Sequence, residues 1–170
     1  MVFYPERYAM ADRVSAHIMI GGTIARHHYP ALVQAIAADN PAGDWDGTPF
    51  DPVDVPVDHP LALMDHDVAN GRFEAIEQCC RRLHLHYARW SGGYPGSFPS
   101  VRVVYAGQGE PQTYPTTEDD QQIFSIERVR ELGSIEAIEA EYHAASLNPP
   151  PLVLVDDDPG DEQYGETDHG

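Results

Sequence analysis

Residues 40–60, NPAGDWDGTPFDPVDVPVDHP, carry five prolines and five aspartates. Proline fixes φ and has no backbone N–H to donate, so neither a helix interior nor a central strand tolerates that density. The stretch is expected to be an ordered loop or flap, pinned to the body by Trp45, Phe50 and Val53. Regular structure must come from the segments on either side of it.

Those segments alternate between two periodicities. RVSAHIMI (13–20) sets Val14, Ala16, Ile18 and Ile20 against Ser15, His17 and Met19, a strand with its first set toward the core. Gly21–Gly22 reads as its end. TIARHHYPALVQAIAAD reads as a helix starting near His28, because Pro30 fits only a first turn, with Leu32, Val33 and Ile36 inward. LALMDHDV (61–68) is a second strand. Phe73, Ile76, Cys80, Leu83, Tyr87 and Trp90 follow at spacings of 3, 4, 3, 4 and 3, which predicts one long helix from an N-cap at Asn70 to a stop at Gly92–Gly93.

SVRVVYAG (100–107) and QQIFSIERV (121–129) read as strands joined by a long turn. In 134–146, Ile135, Ile138, Tyr142 and Ala145 share a helix face, and LVLV (152–155) is apolar enough for a buried strand. The order β-α-β-α-β-β-α-β implies an α+β two-layer sandwich, a mixed sheet with about three helices on one face, part of it ferredoxin-like. Residues 13–155 are expected to form this single domain. Residues 1–12, with a second start at Met10, read as an irregular extension, and 156–170 as an acidic disordered tail.

Charge excludes more than it assigns. There are 28 acidic residues against 10 basic ones, all arginine, and the formal net charge is -18. The lack of lysine removes P-loop, Schiff-base and kinase-type lysine chemistry together. The negative balance also disfavours direct contact with nucleic acid or an anionic membrane. No apolar run is long enough to span a bilayer, and the first residues do not resemble a signal peptide, so a cytoplasmic location is expected. The cysteines, Cys79 and Cys80, are adjacent on one predicted helix; two reduced thiols fit better than a bridge, with Cys80 in the core.

Three kinds of site remain. Asp65, His66 and Asp67 end one strand and Asp156 follows another, so neighbouring parallel strands would bring four ligands for Mg or Zn together. Satisfied or solvated acids are the plainer reading, and it implies no cofactor. The nine histidines show no HExxH spacing, Ser91 and Ser97 lie outside any GxSxG elbow, and Gly21–Gly22 lacks the rest of a phosphate-binding loop. In RWSGGYPGSFPS, by contrast, Trp90, Tyr94 and Phe98 alternate with glycine and proline, as rigid aromatic anchors do.

Acids supply the other half of an interface. Asp44 and Asp46 lie in the proline-rich loop, Glu118, Asp119 and Asp120 form a knot, and seven acids with no arginine run from Asp156 onward. The sequence reading is thus a non-enzymatic protein that binds a basic partner, one form being an inhibitor or regulator that mimics nucleic acid on a nucleic-acid-binding protein. A small metal-dependent hydrolase or phosphotransferase and a small-molecule-binding regulator using loops 89–100 and 40–60 are the rival readings.

Overall fold

A computed structural model describes residues 11–156. The expected extension and the tail therefore lie outside the described residues, apart from Ala11, Asp12 and Asp156. Six strands are present, β1 Arg13–Ala25, β2 Leu61–Ala69, β3 His86–Ser91, β4 Val101–Tyr105, β5 Gln112–Pro115 and β6 Leu152–Val155. Four α-helices accompany them, α1 Tyr29–Asp39, α2 Glu74–Arg82, α3 Ile126–Leu132 and α4 Ile135–Ala145. The sheet runs β2-β1-β3-β4-β5 with antiparallel neighbours, and β6 joins β1 in parallel. This is the expected α+β class with a mixed sheet. The β1 and β2 strands are direct neighbours, whereas a split β-α-β unit would hold a third strand between them.

β1 organises everything else. Its alternating residues Ala16, Ile18 and Ile20 are fully buried, and they pack with Leu32 and Ile36 of α1 and Ile76 and Cys80 of α2 into one cluster. The strand does not stop at Gly21–Gly22, as read from the sequence. It continues to Ala25 because β6 takes over as partner, with Gly22 opposite Leu152. A Cβ on Gly21 would lie 1.6 Å from the Pro150 carbonyl oxygen, so the glycine marks a close backbone approach and not a turn.

The long helix predicted over 70–91 is a helix and a strand. His84 takes a left-handed φ of 56°, α2 ends at Arg82, and β3 begins at His86. Asn70 is not the N-cap; it too is left-handed, in the preceding turn, and Phe73 occupies the cap position. The misreading has a physical cause. Every β3 residue from Tyr87 to Ser91 is buried, because β3 is central and both sheet faces are covered, so period two is erased.

Two further strands are corrected. Residues 126–132 are helical, with Ser125 Oγ accepting from Arg128 N at the N-cap, and the expected turn before them contains β5. β6 is an edge, since Val153 and Val155 are exposed and Leu152 is buried. α4 does not turn Ile135 and Tyr142 inward; both are half-exposed or more, and Ala145 is its buried residue. Nor do all helices share a face. α1 and α2 cover the Ile18 side, while the end of α4 is held by Arg102, whose side chain alternates with that of the core residue Val103; Arg102 Nε donates to Ala145 O at 2.8 Å.

Polar contacts finish the α1–α2 layer. Asp39, the last residue of α1, accepts from Ala75 N at 3.3 Å and Ile76 N at 2.9 Å, filling orphan donors at the start of α2. Burial pushes its carboxyl above the ordinary range, against the pull of those two N–H groups. Asp39→Ala should lower the unfolding free energy by about 1 kcal/mol, the usual effect of losing such a cap. Urea unfolding checks this; an unchanged midpoint would show that the contact is not a cap in solution. Cys79 and Cys80 are unbridged, Cys80 is in the core as expected and Cys79 is buried beside it, and burial raises both thiol pKa values, which disfavours the reactive thiolate.

Candidate functional site

The face of β1 opposite the core carries Ser15, His17 and Met19, and there the register slips between Val14 and Ala16. Val14 faces Val68 while Ala16 faces Asp65, so β2 holds one residue more than β1 across the same interval. A β-bulge of this kind re-aims side chains. Here Ser15 Oγ comes 3.3 Å from His66 Nδ1. His66 Nε2 lies 3.2 Å from the Trp45 carbonyl. A carbonyl only accepts, so Nε2 carries the proton and Nδ1 accepts from Ser15, an assignment made from the hydrogen-bond network. Because a carbonyl and not a carboxylate backs the imidazole, the pair lacks the anionic support a hydrolytic triad gives its histidine.

The proline-rich loop is what covers this face. Asp44 Oδ1 accepts from Asp46 N and Thr48 N, each at 3.0 Å, and Ala42 pairs with Met64 of β2. A hydrogen bond from the Thr48 side chain, and after it the backbone N–H groups of Thr48 and Asp46, hold the Asp44 carboxyl below its ordinary range. The tight turn delivers Trp45 to the sheet. Its ring lies 4.7 Å from that of His66 and meets His17 edge-on, at 6.4 Å and 90°. His17 in turn stacks on Trp90 at 5.6 Å and 25°, and Trp90 Nε1 donates to Thr117 O at 3.3 Å.

Acids close the remaining side. Glu118 accepts from Gly93 N at 3.0 Å and from the Ser100 hydroxyl. Asp120, left-handed at φ 57°, takes Arg102 Nη1 on Oδ2 at 2.7 Å, while its Oδ1 is shut off from solvent and accepts no hydrogen bond among the described residues. The recess bounded by Trp45, His17, Trp90, His66, Ser15 and the acids 118–120 has a volume of about 320 Å³. Burial lowers the pKa of His17, with Arg102 adding to the effect and Asp120 opposing it, so the ring is neutral at neutral pH.

The sequence candidates divide around this recess. Trp90, Glu118, Asp119, Asp120 and His66 line it; Asp44 and Asp46 flank Trp45 in its loop. Tyr94 and Phe98 stand apart, closing a small hairpin of their own with rings 6.3 Å apart. The four metal candidates do not converge. Asp65 accepts from Asp67 N, Asp67 pairs with Arg13, and Asp156 pairs with Arg26 at 2.8 Å. Asp65 sits opposite Ala16 and Val155 opposite Ala25, which separates the two ends by roughly 30 Å of strand. Among the described residues, no three His, Cys, Asp or Glu side chains form a group able to hold a metal ion.

A larger cavity, about 660 Å³, lies beside α2 on the other face of the sheet. Its buried cation is already used, since Arg89 contacts Glu77 Oε1 at 2.6 Å and donates to Gly71 O at 2.8 Å and Ser91 Oγ at 3.1 Å. Sequence reasoning placed Trp45 only as a loop pin and His17 only on a polar strand face. The bulge that joins Ser15 to His66 leaves no local sequence signal. No family model matches the chain, and neither a curated protein nor a solved structure is detectably similar to it.

Proposed function

We propose that this chain is a non-enzymatic binding protein whose acidic surface receives a basic protein, and that one form of this role is an inhibitor or regulator standing in for nucleic acid. One observation carries the reading. The acids of the 118–120 knot line one recess walled by tryptophan and histidine, and Asp44 and Asp46 flank its Trp45 in the loop. Aromatic anchors beside an excess of acids suit a cationic surface, and the net charge of -18 draws such a partner in from solution.

The test uses an arginine-rich peptide about ten residues long. Saturable one-to-one binding is expected, weakening at least about tenfold between about 50 and about 300 mM salt as exposed charges are screened. Asp119→Asn combined with Glu118→Gln should weaken it severalfold. The same neutralisation at Glu136 and Glu139 on the exposed face of α4 should not. Affinity indifferent to salt, or equal losses at both places, would sink the proposal.

A further inference from the structure

The recess itself has a chemistry narrower than its surroundings. Its rings are not all stacked on one another. Trp45 stands perpendicular to His17, which gives two walls meeting at a right angle, and the half-exposed Trp45 leaves ring surface open to a ligand. Trp90 lies beneath His17 and holds that wall in place through its bond to Thr117. On the open side Asp119 supplies negative charge, while Asp120 already shares its Oδ2 with Arg102 at 2.7 Å and has His17 Nε2 3.7 Å away.

From this geometry we infer that the recess binds a methylated ammonium group, the head of a methylated lysine side chain on a basic partner. Perpendicular aromatic walls attract a soft, weakly hydrated cation through their π faces, and carboxylates complete the attraction. A bare ammonium is more strongly hydrated and gives up more on entering. Size agrees: about 320 Å³ suits a single side-chain head and is at the small end of ligand cavities. The cation enters with no bond made or broken. This inference rests on the partner-binding reading and names the group on the partner that the site selects.

The probe is free Nε-trimethyl-lysine, titrated into the full chain and followed by the indole N–H resonances. Lysine and a neutral tert-butyl isostere of the trimethylammonium group serve as comparisons. Saturable shifts of the Trp45 and Trp90 signals are expected, with affinity at least about fivefold above that for lysine or the isostere. Trp45→Leu, at an exposed loop position, should weaken the probe about tenfold, and Trp45→Phe should restore most of that loss. Asp119→Asn, which leaves every ring in place, should weaken it about threefold. Equal binding of the neutral isostere would make the recess merely apolar and overturn the inference; so would absence of indole shifts. Salt-sensitive peptide binding with no response to trimethyl-lysine would remove this inference and leave the proposed function standing, whereas loss of both would remove both.

Discussion

Glu77→Ala is expected to destabilise the fold by about 3–5 kcal/mol, because it strips the counter-charge from a guanidinium that cannot lose its proton. The Arg89 side chain is 5% exposed and that of Glu77 is 14% exposed. Glu77 also accepts from Phe73 N at 3.2 Å and from the Tyr87 hydroxyl at 3.4 Å, so the same carboxylate fixes the start of α2 and the β3 strand behind it. Truncation takes this acceptor from all three donors and leaves Arg89 with only Gly71 O and Ser91 Oγ. The double variant Glu77→Leu with Arg89→Met removes both charges and should recover most of the loss, since apolar replacement of a buried pair is often neutral. Chemical denaturation of the four proteins in the cycle measures the coupling. A single-variant cost below about 1 kcal/mol would show that water reaches the pair.

The same site sets a pH dependence whose sign follows from burial. Desolvation raises the Glu77 carboxyl above its ordinary value, and the pull of Arg89 only partly offsets it. Between the unfolded value, about 4.3, and the higher folded one, the native chain holds more protons than the unfolded chain. This group therefore makes unfolding free energy fall as pH rises through that window. His17 acts in the opposite sense. Its lowered folded pKa means that its contribution is lost as pH falls below about 6.5.

How much of this was legible depends on how many partners each residue has. β2 and the inward residues of β1 were readable because one face is core and the other is not, so period two survives. β3 was not, since Arg89 and Ser91 are buried as deeply as Tyr87, which erases period two, while Tyr87 and Trp90 fall at helical spacing from Phe73, Ile76 and Cys80. The 121–129 run was read by apolar content as a strand, yet Ser125 caps a helix whose Ile126 is exposed. The acids and Trp90 were legible as candidates in the sequence itself, the acids from charge and Trp90 from its place beside a glycine-rich loop. Their gathering around His17 was not, because it depends on a one-residue slip between β1 and β2 and on where a proline-rich loop lands.

Gly21→Ala is the other substitution expected to act strongly, at about 3 kcal/mol, because the new Cβ would enter the Pro150 carbonyl at 1.6 Å and a backbone atom has no rotamer to escape into. The strand must move away from β6, whose pairing is anchored beside it by Gly22 N donating to Pro151 O at 3.1 Å. Hydrogen exchange should show the loss first at the paired β6 amides, alongside a lower Tm. Gly43→Ala is the matched control: its added Cβ would come no nearer than 3.6 Å to Thr48 O, so stability should barely change. β6 is short and exposed on alternate residues, so its own side chains hold it weakly, and its attachment rests on this backbone contact and the burial of Leu152. Unchanged exchange at β6 in the Gly21 variant would mean that the strand is seated by Leu152 alone, and that the close approach of the two backbones is not what extends β1 beyond Ile20.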